Sequence, residues 1–183
     1  MMLIGKRVEL KPVTPENYEL LTEWLNQPEF WGNFFNIWPQ TRESVDQMVH
    51  EYKEGAYYII QDRASKEPLG LACYFSPYVE TLYRAYEIGY IIHQSQRGKR
   101  VATQAACLLI NHLFNTTPIE RIMATVVVEN DASCRVLERS GMTHEGVERK
   151  KMFLHGGYHD THLLSITRSD WINEQEYRKG REF

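Results

Sequence analysis

Residues 86–103 read YEIGYIIHQSQRGKRVAT, and they combine three different local signals. The first seven residues are mostly aromatic or β-branched and predict a strand. A short polar and basic loop follows, and from Val101 to Phe114 apolar residues recur at helical spacing. A strand that passes through a short loop into a helix presents unpaired backbone N–H groups beside the positive end of the helix dipole. Anions bind at such places, so the stretch predicts a phosphate-binding loop, with a solvated surface turn as the alternative.

The loop itself is basic and poor in glycine. Three of the four residues 97–100 carry a positive charge, which strengthens the attraction for a phosphate group. The loop is neither GxxxxGK[ST] nor GxGxxG, because Gly98 is its single glycine. We therefore expect anion binding that uses neither of these nucleotide-binding motifs.

Strands and helices alternate on both sides of this stretch. Strands are predicted near residues 7–13, 57–60, 69–75, 119–128, 145–154 and 161–167. Helices are predicted from Thr14-Pro15 to Pro28, from Thr41 to Gly55 and from Asn130 to Gly141. In the second of these helices Tyr52 lies on the apolar face. Residues 76–84 read as a connection and residues 175–183 as a frayed end. Because the chain shows no repeat, low-complexity tract or linker, we expect one α/β domain over residues 1–183 with a mixed sheet.

The composition excludes several classes of protein. Of the 183 residues 43% are apolar and 25% charged, as in a soluble globular domain. No run approaches the roughly 18 apolar residues of a membrane span, and MMLIGKRVELKPV at residues 1–13 becomes charged too early for a secretory signal. A net charge of −3 supplies no general field for a nucleic acid backbone. We expect a cytoplasmic protein that binds neither nucleic acid nor a membrane.

No cysteine or histidine pattern predicts a metal site. The cysteines are odd in number, widely spaced and lack a CxxC pair, so we expect buried thiols at Cys73, Cys107 and Cys134. An HxxxHxxH pattern would bind zinc only on a helix, and Gly156-Gly157 predicts a turn between its members His155, His159 and His162. The sequence therefore predicts no metal.

A second segment, at residues 126–142, forms a recognisable pattern together with the loop at residues 97–103. Residues 126–142 read VVVENDASCRVLERSGM, with the spacing V-x-x-x-N-x-x-S and a closing Gly-Met. Together with the loop at 97–103 after Glu-Ile-Gly-Tyr, it resembles the GNAT superfamily of acetyl-CoA-dependent N-acetyltransferases. The similarity is sharpest over residues 85–170 and is greatest to the Rim branch, the ribosomal-protein N-terminal acetyltransferases and their small-amine relatives. The chain departs from the pattern at Arg100, which stands where the loop normally has its central glycine.

The resemblance implies a fold and a way of binding the cofactor. It implies a mixed central sheet of about six or seven strands that splays in the middle and is flanked by about four helices. The pantetheine arm of acetyl-CoA would pair with the exposed edge of a central strand, and the loop would hold the pyrophosphate. The implied cofactor-binding residues are Tyr90, Ile91, Ile92, Arg97, Gly98, Lys99, Arg100, Val101, Ala102, Thr103, Asn130 and Ser133. For Asn130, a simple helix N-cap is an equally good interpretation.

The resemblance also implies two catalytic groups. Glu87, on a central strand, is the candidate general base, and its pKa has to be raised by burial for efficient transfer from an amine. The alternative is an ion pair with Arg84 or a nearby lysine. Ser133 is the candidate acid that protonates the departing thiolate. The alternative is that its hydroxyl bonds back to its own helix turn, and Tyr158 is a second, weaker candidate for the acid. No Ser-His-Asp or Cys-His pattern is present, so direct transfer without an acyl-enzyme is expected.

The acceptor is a primary amine of a class that the sequence leaves open. A protein N-terminus, a polyamine, an aminoglycoside or an amino-acid-derived toxin would use the same apparatus. Five aromatic residues fall between Phe30 and Trp38, where they form either a lid over the acceptor or core filler under a loop. A catalytically idle acyl-CoA-binding sensor or scaffold and a protein-interaction domain are the rival functions. A homodimer is compatible with the sequence.

Overall fold

The computed structural model describes residues 1–51, 53–76 and 85–179, and for residues 176–179 the backbone alone. The predicted position of Tyr52, most of the connection at 76–84 with Arg84, and the last residues of the tail, 180–183, lie outside the described residues.

The described strands form one mixed sheet of eight strands in the order β1-β2-β3-β4-β5-β6-β8-β7. They are β1 (Leu3–Ile4), β2 (Val8–Pro12), β3 (Gly55–Asp62), β4 (Pro68–Phe75), β5 (Ala85–Ile92), β6 (Arg121–Val127), β7 (Thr143–Leu154) and β8 (Gly157–Thr167). Neighbouring strands are antiparallel except β5 and β6, which are parallel. A parallel pair needs a crossover, and the long helix between these two strands supplies it.

Helices cover both faces of the sheet. The described helices are α1 (Tyr18–Leu25), α2 (Pro28–Trp31), α3 (Arg42–His50), α4 (Val101–Thr116), α5 (Asp131–Arg139) and α6 (Arg168–Lys179), with short 3-10 turns before α1, after α2 and before α4. In the part of the chain that the structure describes, no helix has the length and apolar composition to span a membrane.

The core has two halves because successive strand residues point to opposite faces. Ile60 packs with α4 on one face, and its neighbour Ile59 packs with α1 on the other. The α4 side holds the larger apolar cluster, which includes the fully buried Leu109 and Leu113. The α1 side holds a smaller cluster around Leu21. The sheet is therefore enclosed on both faces around its centre, where β5 and β6 lie.

The predicted architecture is confirmed, with more elements than expected. The described residues form eight strands and six helices, against the predicted six or seven strands and about four helices. Pro28 does not simply end a helix but also starts the short α2, because proline is compatible with the first helical position. Residues 175–179, predicted as part of a frayed end, belong to α6, which runs from Arg168 to Lys179. This helix is held by tertiary contacts, such as the hydrogen bond from Trp171 Nε1 to Asn111 Oδ1 at 2.7 Å.

The predicted splay in the middle of the sheet is present. β5 and β6 pair only through Ala85–Glu87 and Arg121–Met123, and the ladder ends there. Residues 88–92 of β5 keep their antiparallel partners in β4 but have no pairing with β6. The two backbone edges that face each other beyond this point do not pair with each other, which leaves space for another chain between them.

Candidate active site

A cleft of about 810 Å³ opens where β5 and β6 part. Its walls come from residues 28–35, the part of β5 that does not pair with β6, the loop before α4, residues 124–127 of β6 and most of α5. The N-termini of α4 and α5 both face it, and each contributes unpaired backbone N–H groups and a positive dipole end. The cleft therefore combines a free strand edge with two sites that attract negative charge.

The residues predicted to bind a cofactor gather in this cleft, with one exception. Those that line it are Tyr90, Ile91, Ile92, Arg97, Gly98, Arg100, Val101, Ala102, Thr103, Asn130 and Ser133. Lys99 does not line the cleft, and its Nζ donates to Gln96 Oε1 at 3.0 Å. The sequence thus predicted the members of this wall but not which side chains of the loop face inward.

The loop before α4 has a left-handed backbone at two positions. Gly98 has φ +76°, and a Cβ built on it would have no atom within 4 Å, so its surroundings are open. Arg100, the residue before α4, has φ 61° and ψ 17°. Glycine is normally favoured in that conformation, since a Cβ costs about 1–2 kcal/mol there. The departure at Arg100 therefore keeps the backbone shape that glycine gives the loop and adds a side chain to it.

The three cations of the loop differ in what they contact. Arg97 is tied to backbone carbonyls: its Nη2 donates to Glu29 O at 2.8 Å and Phe30 O at 2.9 Å, and its Nε donates to Ile92 O at 3.1 Å. Lys99 does not line the cleft and donates to Gln96, which does, whereas Arg100 is exposed and lines the cleft itself. Of these three side chains, Arg100 is the one placed to reach a phosphate.

Glu87 lies at the closed end of the splay, on the α1 side of the sheet. Its neighbour Ile88 belongs to the α4 side, so alternation places Glu87 on the opposite face. Glu87 is half-buried and does not line the cleft, but Thr125, which bonds to its carboxylate through hydroxyl and backbone amide, does. Burial raises the pKa of Glu87, while the hydrogen bonds from Thr125 and the charge of Lys151 oppose this rise. Lys151 itself pairs with Glu148 at 2.6 Å rather than with Glu87.

Ser133 and Asn130 sit together at the start of α5. Asn130 caps the helix, because its side-chain Oδ1 accepts from Ser133 N at 3.1 Å. The cap interpretation of Asn130 is thus correct, and the residue also lines the cleft. Ser133 Oγ lies 2.9 Å from the hydroxyl of Tyr90, across the splay. The sequence indicated a role for the backbone of Tyr90 alone, so the contact between its hydroxyl and that of Ser133 was not predicted.

Cys73 is a further neighbour that the sequence did not place at the site. It lies opposite Gly89 in the β4–β5 ladder, and a Cβ on Gly89 would come within 3.1 Å of its Sγ. Burial and the nearby Glu87 raise the pKa of the Cys73 thiol to about 12. A thiol with that pKa stays protonated at neutral pH, so Cys73 is a poor nucleophile.

The aromatic stretch contributes a wall of the cleft and not only core filler. Phe30 is 1% exposed and stacks on Trp24 at 5.1 Å, whereas Trp38 is 69% exposed. Phe34 and Phe35 line the cleft. The first part of the stretch therefore fills the core, as one interpretation predicted, and its later part faces the cleft and solvent.

The histidines of the β7–β8 hairpin do not converge on a metal. The described residues contain no group of three or more His, Cys, Asp or Glu side chains placed to bind one. His159 contacts Glu129 at 3.3 Å, and His155 lies against Asn33 and Asn36. Tyr158 is 66% exposed and packs on Phe153 at 5.1 Å.

Comparison with known proteins assigns the fold and cleft to a family. Residues 7–143 match the acetyltransferase (GNAT) domain, and the chain belongs to this family of acetyltransferases. It is 30% identical over 182 residues to the probable N-acetyltransferase YjcK of Bacillus subtilis, covering 92% of this chain and 98% of that protein. It is 28% identical to the ribosomal-protein-serine acetyltransferase of Escherichia coli, covering 88% and 93% respectively. The resemblance to the GNAT superfamily and its ribosomal-protein branch is thereby confirmed.

A solved structure shares the whole architecture. The spermidine N-acetyltransferase of Vibrio cholerae in complex with CoA and spermine superposes with a TM-score of 0.78. The two chains are 18% identical, and the match covers 92% of this chain and 99% of the other. At that identity the match establishes the common fold.

Proposed function

We propose that this N-acetyltransferase moves an acetyl group from acetyl-CoA directly to a primary amine, with Glu87 as general base. The observation that carries the proposal is the parting of β5 and β6 after Glu87 and Met123, beside the N-termini of α4 and α5. The cleft thus offers a strand edge that can bond to a chain containing amides. It also offers helix N-termini, with their backbone amides and a nearby cation, that can bind a diphosphate.

The residues present suit acetyl-CoA. The edge of β5 at Tyr90, Ile91 and Ile92, which has no partner in β6, would pair with the pantetheine arm, and its N–H groups would stabilise the thioester carbonyl oxygen. The amides of residues 98–103 and the guanidinium of Arg100 would hold the pyrophosphate, where Gly98 leaves open space. The bound thioester supplies the activated acetyl group, and all other chemistry is left to the protein.

Two groups account for the proton transfers. Glu87 accepts a proton from the amine, directly or through a water, as the amine nitrogen bonds to the acetyl carbon. Its raised pKa brings it closer to that of an amine and makes this transfer more efficient. Ser133 Oγ donates a proton to the sulfur as the carbon–sulfur bond breaks and regains one from solvent, into which Glu87 releases the proton that it took from the amine. The Tyr90 hydroxyl at 2.9 Å holds Ser133 Oγ in place. No protein atom becomes acylated, in keeping with the protonated Cys73 thiol.

The acceptor is a protein N-terminal α-amine or a small-molecule amine. The Escherichia coli relative is named for ribosomal-protein serine, and the Vibrio cholerae structure contains spermine. Phe34 and Phe35 on the cleft wall favour an acceptor with apolar groups near its amine and can hold a protonated amine through cation–π contacts.

The test separates binding from turnover. Calorimetry with acetyl-CoA and with its desulfo analogue should show binding of both, and release of free thiol should then be followed with N-terminal peptides and polyamines as acceptors. We expect thiol release with one class of amine and no acetyl group left on the protein. Absence of binding at millimolar coenzyme would refute the cofactor assignment, and binding without thiol release from any amine would favour the idle sensor.

A further inference from the structure

The guanidinium of Arg97 joins two walls of the cleft. Glu29 O and Phe30 O, which accept from its Nη2, belong to α2 on the wall formed by residues 28–35. Ile92, whose carbonyl oxygen accepts from Nε of Arg97, is the last residue of β5. A side chain that begins in the loop before α4 therefore holds the end of the central strand and the opposite wall at once.

The local chemistry suits a guanidinium at this position. The last carbonyls of a helix have no partner within the helix, and a cation at that end is stabilised by the dipole. Arg97 supplies both a positive charge and donors in a fixed fork. Gly32 follows α2 with φ +68°, and a Cβ placed on it would lie 3.9 Å from Nη1 of Arg97. The chain thus turns at Gly32, a residue without a side chain, close to the guanidinium of Arg97.

The same wall is also attached at its other end. Asn36 Nδ2 donates to Phe153 O at 2.7 Å, and His155 N donates to Asn36 Oδ1 at 3.2 Å. These bonds tie the wall to the β7–β8 hairpin. Residues 28–36, which we term the wall segment, therefore run between two anchors, one of which is the loop before α4.

We propose that Arg97 is a positioning residue that couples the occupancy of the loop before α4 to the wall segment on the acceptor side. The inference rests on the proposed binding of coenzyme A to that loop. A ligand that immobilises residues 98–103 also fixes the backbone from which Arg97 projects, and the guanidinium transmits this order to α2. Because coupling between two sites is reciprocal, an acceptor that orders the wall segment strengthens coenzyme binding by the same factor.

Amide hydrogen exchange with free coenzyme A as the probe tests the coupling. We expect coenzyme A to slow exchange in residues 98–103 and also in residues 28–36, the latter by about fivefold or more. Arg97→Lys keeps the charge but loses the fork, and Arg97→Met keeps the length of the side chain but loses every donor. In both variants the protection of residues 98–103 should remain, whereas that of residues 28–36 should disappear.

Arg168 provides a matched control at the other end of α4. Its guanidinium donates to Ile119 O, Phe114 O and Thr117 O at 2.9, 2.8 and 2.6 Å, and it does not line the cleft. Arg168→Lys should lower the melting temperature and leave the coenzyme-dependent protection of residues 28–36 intact. Loss of that protection in this control would show that general destabilisation is the cause and would overturn the proposal.

The remaining outcomes distinguish the two proposals. Protection of residues 98–103 without protection of residues 28–36 in the parent protein would overturn the coupling and leave coenzyme binding standing. Persistence of protection at 28–36 in both Arg97 variants would do the same. No protection anywhere would refute the proposed function, and the coupling with it.

Discussion

Replacing Arg100 by glycine should make the protein more stable and its coenzyme binding weaker. Arg100 has φ 61°, a conformation that costs a residue with a Cβ about 1–2 kcal/mol. Glycine removes this strain but loses about 0.4–1 kcal/mol through its freer unfolded chain. The net gain of about 1 kcal/mol corresponds to a rise in Tm of about 2–4 °C for a chain of 183 residues.

The expected loss of affinity comes from the charge. Arg97 lines the cleft but its guanidinium is bonded to carbonyls, and Lys99 does not line the cleft, so Arg100 is the loop cation left to contact a phosphate there. An exposed ion pair contributes up to about 1 kcal/mol, which is about a fivefold change in Kd. Arg100→Gln keeps the Cβ and its strain but removes the charge, so it should weaken binding equally without raising Tm.

Calorimetry at two ionic strengths and thermal denaturation measure both effects. The difference in Kd between parent and variants should shrink at high salt, because screening removes the contribution of the charge. Lys150→Gly is the matched control: Lys150 has φ 50° and an exposed side chain, and it does not line the cleft. It should raise Tm without changing Kd. Tighter binding by Arg100→Gly would refute the reasoning, since the side chain would then obstruct the ligand.

Variants at Glu87, at the Tyr90–Ser133 pair and at Asn130 test the site further. Glu87→Gln should lower kcat/KM by about 10²–10⁴-fold and remove the rise of activity with pH through the raised pKa of Glu87; an unchanged pH profile would exclude this base. Since a carboxyl with a raised pKa loses its stabilising contribution as pH rises through that pKa, the same variant should melt higher than the parent at pH 8, by a margin that shrinks as pH falls. Tyr90→Phe removes the bond to Ser133 Oγ and should cost about 0.5–1.5 kcal/mol of stability; its effect on kcat should be non-additive with Ser133→Ala, and simple additivity in the double-mutant cycle would contradict a joint role. Asn130→Ala should cost about 1 kcal/mol through loss of the helix cap, whereas Asn130→Ser keeps the cap; weaker coenzyme binding by the serine variant would show a contact beyond the cap, and unchanged calorimetry would limit Asn130 to capping.

The sequence predicted those features that depend on local patterns. The apolar spacing of α4 and the β-branched run of β6 are properties of consecutive residues, and both elements lie within two residues or so of their expected bounds. Thr41 was likewise recognisable as a cap, and its side chain does accept from Ser44 N. By contrast, α6 carries little apolar periodicity and depends on distant partners such as Asn111, which no local pattern indicates.

For the site, the sequence predicted which residues gather but not how their side chains are directed. The carbonyls that hold Arg97 belong to Glu29 and Phe30, which are far away along the chain, so only the tertiary structure reveals them. The pairing of Tyr90 with Ser133 depends on the width of the splay in the same way. The left-handed backbone at Arg100 could not be predicted from the sequence, because arginine does not indicate that conformation, whereas a glycine at this position would.

The early end of the β5–β6 ladder leaves the two strands unpaired with each other in the interior of the protein. The proposed binding of acetyl-CoA between them would stabilise the folded form, because a ligand that binds only that form adds about 2.7 kcal/mol to its stability at a hundred times its Kd. The frequency with which the chain unfolds would then depend on the concentration of its own substrate.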